Sequence, residues 1–181
     1  NFSKVLILVL LCSGVLTILL SMSSVHAYYK NRGEFYAILL LVILAMSIMV
    51  SSNDLLLMLI SIEFMSLGLY VLTSFYHNDP LSIEGGLKYF VSGAFATAFL
   101  IYGFSLIYGA TGTINFAAIG QKLSDKALAD ETIFYLGILF LFVGLFFKVS
   151  AVPFHFWAPD AYQGAPTSVT AFMASSVKVA S

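Results

Sequence analysis

Six long apolar stretches, each carrying no more than one Asp, Glu, Lys or Arg, constrain this chain more than any other feature. A helix needs about 20 apolar residues to cross roughly 30 Å of hydrocarbon. Runs close to that length lie at about 5–24, 35–51, 55–76, 86–110, 133–157 and 166–181, the last of them cut short. Polar clusters at 28–34, 51–54, 77–80 and 121–131 separate them, and their Asn, Asp, Pro and Gly residues suit turns and helix caps. The longest connection is 111–131, within which 122–126 is read as a short surface helix. No strand-like alternation runs far enough for an outer-membrane barrel. The expected fold is all-α: one polytopic transmembrane helical bundle of about six helices.

Composition agrees, since 60% of residues are hydrophobic and 9% charged, far from the balance of a soluble domain. A formal net charge of -1 leaves no basic footprint for nucleic acid. The single cysteine, Cys12, forms neither an intrachain disulfide nor an iron–sulfur site, which takes about four thiolates. Any redox cofactor is therefore expected in another chain. Orientation stays undecided, because Lys4, Lys122 and Lys126 on one side balance Lys30, Arg32 and Lys88 on the other. The chain opens on Asn1 and stops at Ser181 inside a helical pattern, and is read as a piece of a longer protein. Lys4, the apolar run after it and Val25-His26-Ala27 also fit a signal peptide, but the further spans weigh against that.

Three charges stand where hydrocarbon is expected. Glu63 lies about 13 Å along a helix that starts near Leu55, at ~1.5 Å per residue. An acid at that depth is a functional hypothesis by default. Ser66, Tyr70, Thr73 and Ser74 share its helical face and form a polar stripe. The plainer reading is a structural ion pair between helices. Lys148 ends an uncharged run, and Gly137 and Gly144 on its face would let another helix approach closely. Five residues on, Pro153 cannot donate to the carbonyl of Val149, so the helix is expected to break there. Broken backbone at membrane depth is tolerated only where it faces protein or a water-filled cavity. The competing reading is a lysine near a span end that snorkels.

Lys178 would sit about 18 Å along a helix beginning at Pro166, too deep for easy snorkelling, with Thr167, Ala171, Ala174 and Ser175 on its face. A lysine kept from water and near another cation holds its proton less tightly, and an adjacent carboxylate restores its hold, so Glu63, Lys148 and Lys178 together suit a proton relay. His155 follows the break and is a candidate relay as much as a structural donor. His26 and His77 fall in expected loops, which leaves no histidine pair for haem. Lys88, at a span entrance, is expected to snorkel, and Asp160 to cap or turn.

The run 147–167, Phe-Lys-Val-Ser-Ala-Val-Pro-Phe-His-Phe-Trp-Ala-Pro-Asp-Ala-Tyr-Gln-Gly-Ala-Pro-Thr, closely resembles the antiporter-like N subunit of proton-pumping NADH:quinone oxidoreductase, respiratory complex I. In mitochondria that type is the second NADH dehydrogenase subunit. Ser61-Ile62-Glu63-Phe64-Met65-Ser66-Leu67 and Glu84-Gly85-Gly86-Leu87-Lys88-Tyr89-Phe90 look like the same subunit in the same order. By this resemblance Glu63 matches the acid of the family's fifth transmembrane helix, Lys148 the lysine of its discontinuous seventh and Lys178 the connecting lysine of its eighth. The chain would then cover helices three to eight of fourteen, without the second half-channel and its lysine on helix twelve.

The resemblance implies a proton-translocating subunit with no cofactor or metal of its own. NADH, flavin, iron–sulfur clusters and quinone would be handled by partner membrane and peripheral subunits of the complex, in a bacterial plasma membrane or a mitochondrial inner membrane. L and M subunits, Mrp-type sodium/proton antiporters and membrane-bound hydrogenases share the Glu and Lys pattern. An ion-driven antiporter subunit is thus one alternative, and a membrane scaffold whose charges serve packing is another.

Overall fold

The computed structural model describes the backbone of residues 2–28, 32–126, 128 and 130–181, with side chains over the same residues except 23–28 and 32. Within the turn expected at 28–34, residues 29–31, Lys30 among them, lie outside the described residues, as do Ala127 and Ala129 of the polar stretch 121–131.

Helix α1 covers Phe2–Tyr28, α2 Arg32–Ser51, α3 Leu55–Thr73 and α4 Pro80–Thr111. A short α5 (Phe116–Ser124) precedes α6 (Glu131–Lys148), and α7 covers Ala158–Gly164. Helix α8 (Thr167–Phe172) then runs through a π-helical turn (Met173–Val177) into α9 (Lys178–Ala180). Among the described residues no strand forms beyond a single bridge between Asp54 and Asn115. Helices α1 to α4 and α6 are long and apolar enough to cross a membrane.

Capping chemistry explains where the helices start. Asp54, Asp79 and Asp130 each accept a hydrogen bond from the backbone of the next helix's first turn, at Leu57 (2.7 Å), Leu81 (3.0 Å) and Ile133 (3.1 Å). With Pro80 supplying a preset first residue, α4 begins six residues before the expected 86. Helix α3 stops at Thr73 rather than 76, because Ser82 of α4 takes the Thr73 carbonyl (2.9 Å) and accepts from the Tyr76 N–H (3.3 Å). The surface helix expected at 122–126 starts earlier, where the Asn115 side chain caps Ala117 and Ala118. Helix α1 continues through His26, which was expected in a loop.

The span expected at 133–157 is broken. Helix α6 ends at Lys148, Ser150 adopts a positive φ of 59°, and residues 149–157 form turns before α7. The break lies a few residues before Pro153 because a proline disfavours helical conformation in the residue ahead of it and removes the donor for Val149. The last carbonyls of α6 are satisfied locally, Leu145 by Val149 (3.1 Å), Phe146 by Ala151 (2.8 Å) and Phe147 by Ser150 (3.1 Å) and the Trp157 indole (3.2 Å).

Large apolar side chains such as Leu8, Val15, Leu40, Leu67, Phe95 and Leu139 point outward. The interior instead holds buried hydroxyls at Ser61, Ser66, Thr73, Ser82 and Thr97 among Leu39, Met46, Leu69 and Leu100. That inversion belongs to a bundle in lipid, where small and polar residues pack between helices. Helices α4 and α6 touch at their backbones: a Cβ on Gly137 would stand 3.0 Å from the Gly103 carbonyl oxygen and 3.0 Å from the Ile107 nitrogen. Gly144 lies on Leu100 of the same helix. Gly137 and Gly144 thus serve the close approach expected of them.

Candidate functional site

Helices α3, α4 and α6 meet around one buried ammonium. Lys148 closes the last turn of α6, where a cation is favoured by the helix dipole, and its side chain is only 3% exposed. It crosses to α3, donating to the Ser66 hydroxyl at 2.6 Å and lying 3.7 Å from Glu63 Oε1. Snorkelling is therefore not what this lysine does. Glu63 and Ser66, three residues apart on α3, present both partners on one face. Glu63 is 31% exposed and accepts a 2.6 Å hydrogen bond on Oε1 from the Thr97 hydroxyl of α4.

The polar stripe expected beside Glu63 is present. Ser66, Tyr70 and Thr73 are buried, and Thr73 reaches Met173 Sδ at 3.6 Å. The Tyr70 hydroxyl has no hydrogen-bond partner among the described residues and sits against Gly93, where a side chain would displace it. Around the break, Trp157 stacks on Tyr89 (4.2 Å between centroids) and Phe147 (5.3 Å), and Tyr162 meets its edge (6.1 Å). These rings fix the turn after Lys148.

Lys178 is not brought against Lys148. It is exposed, its ammonium 5.8 Å from the centre of the Tyr162 ring. Thr167, Ala171, Ala174 and Ser175 are exposed with it, so the stripe of small residues faces outward from the described residues. His155 is exposed as well, and its ring makes no hydrogen bond to a described residue. Among the described residues no three His, Cys, Asp or Glu side chains converge as metal ligands.

Two features escape a reading of the sequence. Thr97 is one; the signal that points to it is the run of buried residues Gly93, Ala96, Thr97, Leu100 and Gly103 down one face of α4. The other is the ion cluster of Lys88 with Glu84 (2.7 Å) and Asp160 (2.7 Å), which joins α4 to the first turn of α7. Asp160 was expected to cap and Lys88 to snorkel. Instead Gly85 lies on the Asp160 backbone, and the two helices come close enough for the charges to meet. All three side chains are about half exposed, and Lys88 keeps Glu84 when Asp160 is neutralised. Asp160→Asn is therefore expected to shift the thermal midpoint only slightly, and a fall comparable with loss of Lys148 would show the cluster to be far better shielded than its exposure suggests.

Residues 52–181 match the family described as NADH:quinone oxidoreductase/Mrp antiporter, transmembrane. NADH-quinone oxidoreductase subunit N of Azorhizobium caulinodans is 44% identical over 99% of this chain, which spans 37% of that relative's length. Among solved structures, a chain of respiratory complex I from Thermus thermophilus matches with a TM-score of 0.81 and 40% identity, over 98% of this chain and 38% of that one. The archaeal membrane-bound sulfane sulfur reductase matches with a TM-score of 0.86 and 28% identity, over 97% of this chain and 36% of that one. The chain therefore spans little more than a third of the relatives it matches. An apolar helical bundle, a helix interrupted beside a buried lysine and a match over most of its residues agree: this integral membrane protein belongs to the NADH:quinone oxidoreductase/Mrp antiporter transmembrane family.

Proposed function

We propose that this chain forms part of a proton-translocating membrane subunit of an NADH:quinone oxidoreductase, in which Lys148 carries the proton, Glu63 is its counter-charge and Lys178 continues the route. The observation that carries this reading is the buried Lys148 ammonium held between Ser66 and Glu63 at the break between α6 and α7. Burial of an ion is unfavourable unless compensated, and here the compensation comes from a hydroxyl at 2.6 Å and a carboxylate at 3.7 Å. A carboxylate that moves changes the proton affinity of the lysine beside it.

Between the end of α6 and Lys178 stand the packed rings of Phe147, Trp157 and Tyr162, with Lys178 over the last. The intervening transfer runs through water and polar groups of the larger subunit, with His155 as an accessory relay near the break. Partner membrane and peripheral subunits of the complex carry NADH oxidation, flavin, iron–sulfur clusters and quinone reduction; the chain itself contacts lipid and those subunits. The names of the relatives, NADH-quinone oxidoreductase subunit N, favour this reading over a Mrp-type antiporter. The segment 166–181 is proposed as the start of a sixth span.

The test is Glu63→Gln in the full-length subunit within its complex. Expected are normal assembly and a several-fold loss of proton pumping at unchanged electron input. Full pumping in an assembled Glu63→Gln complex would remove the proposed role, and loss of assembly would favour a structural ion pair.

A further inference from the structure

We infer that Thr97 is a positioning residue for the Glu63–Lys148 pair, its hydroxyl holding the carboxylate back from the ammonium so that the pair stays loose enough to switch. This rests on the proposed role of Glu63 and Lys148 in proton transfer. Three observations carry it. Ser61, Ser66, Thr73 and Thr111 each donate their hydroxyl hydrogen to the carbonyl four residues back on their own helix. Thr97, buried on α4, donates its only hydroxyl hydrogen across to Glu63 Oε1 on α3. That oxygen is also the one nearest Lys148, at 3.7 Å, well beyond the ~2.7–2.9 Å of a charge-assisted hydrogen bond.

Each charge is thus bonded to a hydroxyl of its own. Lys148 has Ser66, whose hydrogen is committed to the Ile62 carbonyl at 2.6 Å and whose lone pairs are therefore free to accept. Glu63 has Thr97. When Lys148 loses its proton, Glu63 keeps a donor, and when Lys148 regains it, no tight contact pair has to be broken in either direction. Valine has nearly the volume of threonine but no hydroxyl. In Thr97→Val that donor is lost while Lys148 stands 3.7 Å from Glu63 Oε1, and the pair closes.

Thr97→Val, Thr97→Ser and Glu63→Gln are to be compared in the assembled complex, reading proton pumping per NADH oxidised and the infrared carboxylate stretch that disappears in Glu63→Gln. Thr97→Val is expected to shift that band and to lower pumping several-fold. Thr97→Ser, which keeps the donor and loses bulk, is expected to restore both close to the parental values. Equal defects in the two Thr97 variants, or a defect only in Thr97→Ser, would make Thr97 a packing residue and overturn the inference. If Glu63→Gln is impaired while Thr97→Val pumps normally with an unmoved band, the positioning role alone fails. If Glu63→Gln pumps at the parental rate, the proposed function fails first, and the band still reports whether Thr97 holds Glu63.

Discussion

Lys148→Met is expected to abolish proton pumping and to destabilise the subunit, and the second effect should be largely reversed by adding Glu63→Gln. Methionine fills a volume similar to the lysine stem, so packing against α3 survives. What is lost is the ammonium that stands 3.7 Å from Glu63 and donates to Ser66. Removing one partner of a buried ion pair costs about 3–5 kcal/mol because the other charge is left uncompensated. The lower end of that range applies here, since Glu63 is 31% exposed and retains the Thr97 hydrogen bond. Neutralising Glu63 as well removes the uncompensated charge, so the double variant should unfold at a higher temperature than Lys148→Met alone. Pumping should stay absent in both, because neither restores a group able to take up and release a proton. Recovery of pumping in the double variant, or equal unfolding temperatures for single and double variants, would separate the two residues and end the pair's assigned role.

The pair was legible in sequence because charge inside an apolar run has few explanations. Glu63 and Lys148 each stand alone in about 20 residues of hydrocarbon-like sequence, and Pro153 announces the break beside the second. Thr97 was not legible for the opposite reason. Hydroxyls are common in transmembrane helices and usually bond their own backbone, as Ser66 and Thr73 do. Which hydroxyl crosses to a neighbour is decided by interhelical distance, and one sequence does not contain that distance.

The case of Lys178 has a related cause. Its expected face stays together across the π-helical turn Met173–Val177, Lys178 being exposed along with Thr167, Ala171, Ala174 and Ser175, so what one sequence leaves out is how that face is directed in the bundle. Lys178 comes to lie over Tyr162. A single sequence seldom reveals such a turn, since Met-Ala-Ser-Ser-Val satisfies an ordinary helix equally well. The end of α6 comes earlier than expected for a different reason: Pro153 marks the earliest missing donor, whereas the chain leaves the helix as soon as Ser150 takes a positive φ.

Gly103→Ala is expected to weaken the bundle, while Gly109→Ala, nearly two turns further on, should be neutral or slightly stabilising. Both glycines lie inside the same helix, so the change in intrinsic propensity is the same, roughly 0.5–1 kcal/mol in favour of alanine. Only their surroundings differ. A Cβ on Gly103 would stand 2.8 Å from the Gly137 carbonyl oxygen and 2.8 Å from the Leu141 nitrogen, both backbone atoms of α6. Backbone cannot rotate aside, so the helices must separate, and overpacking of this kind costs about 1–3 kcal/mol. At Gly109 nothing lies within 4 Å of the corresponding position. Separation of α4 from α6 also draws Lys148, at the end of α6, away from the Thr97–Glu63 contact. Gly103→Ala should therefore lower pumping along with the unfolding temperature, whereas Gly109→Ala should change neither for the worse. Equal unfolding temperatures for the two variants would mean that α4 and α6 are not in backbone contact, and the framework that aims Lys148 at α3 would have to be redrawn.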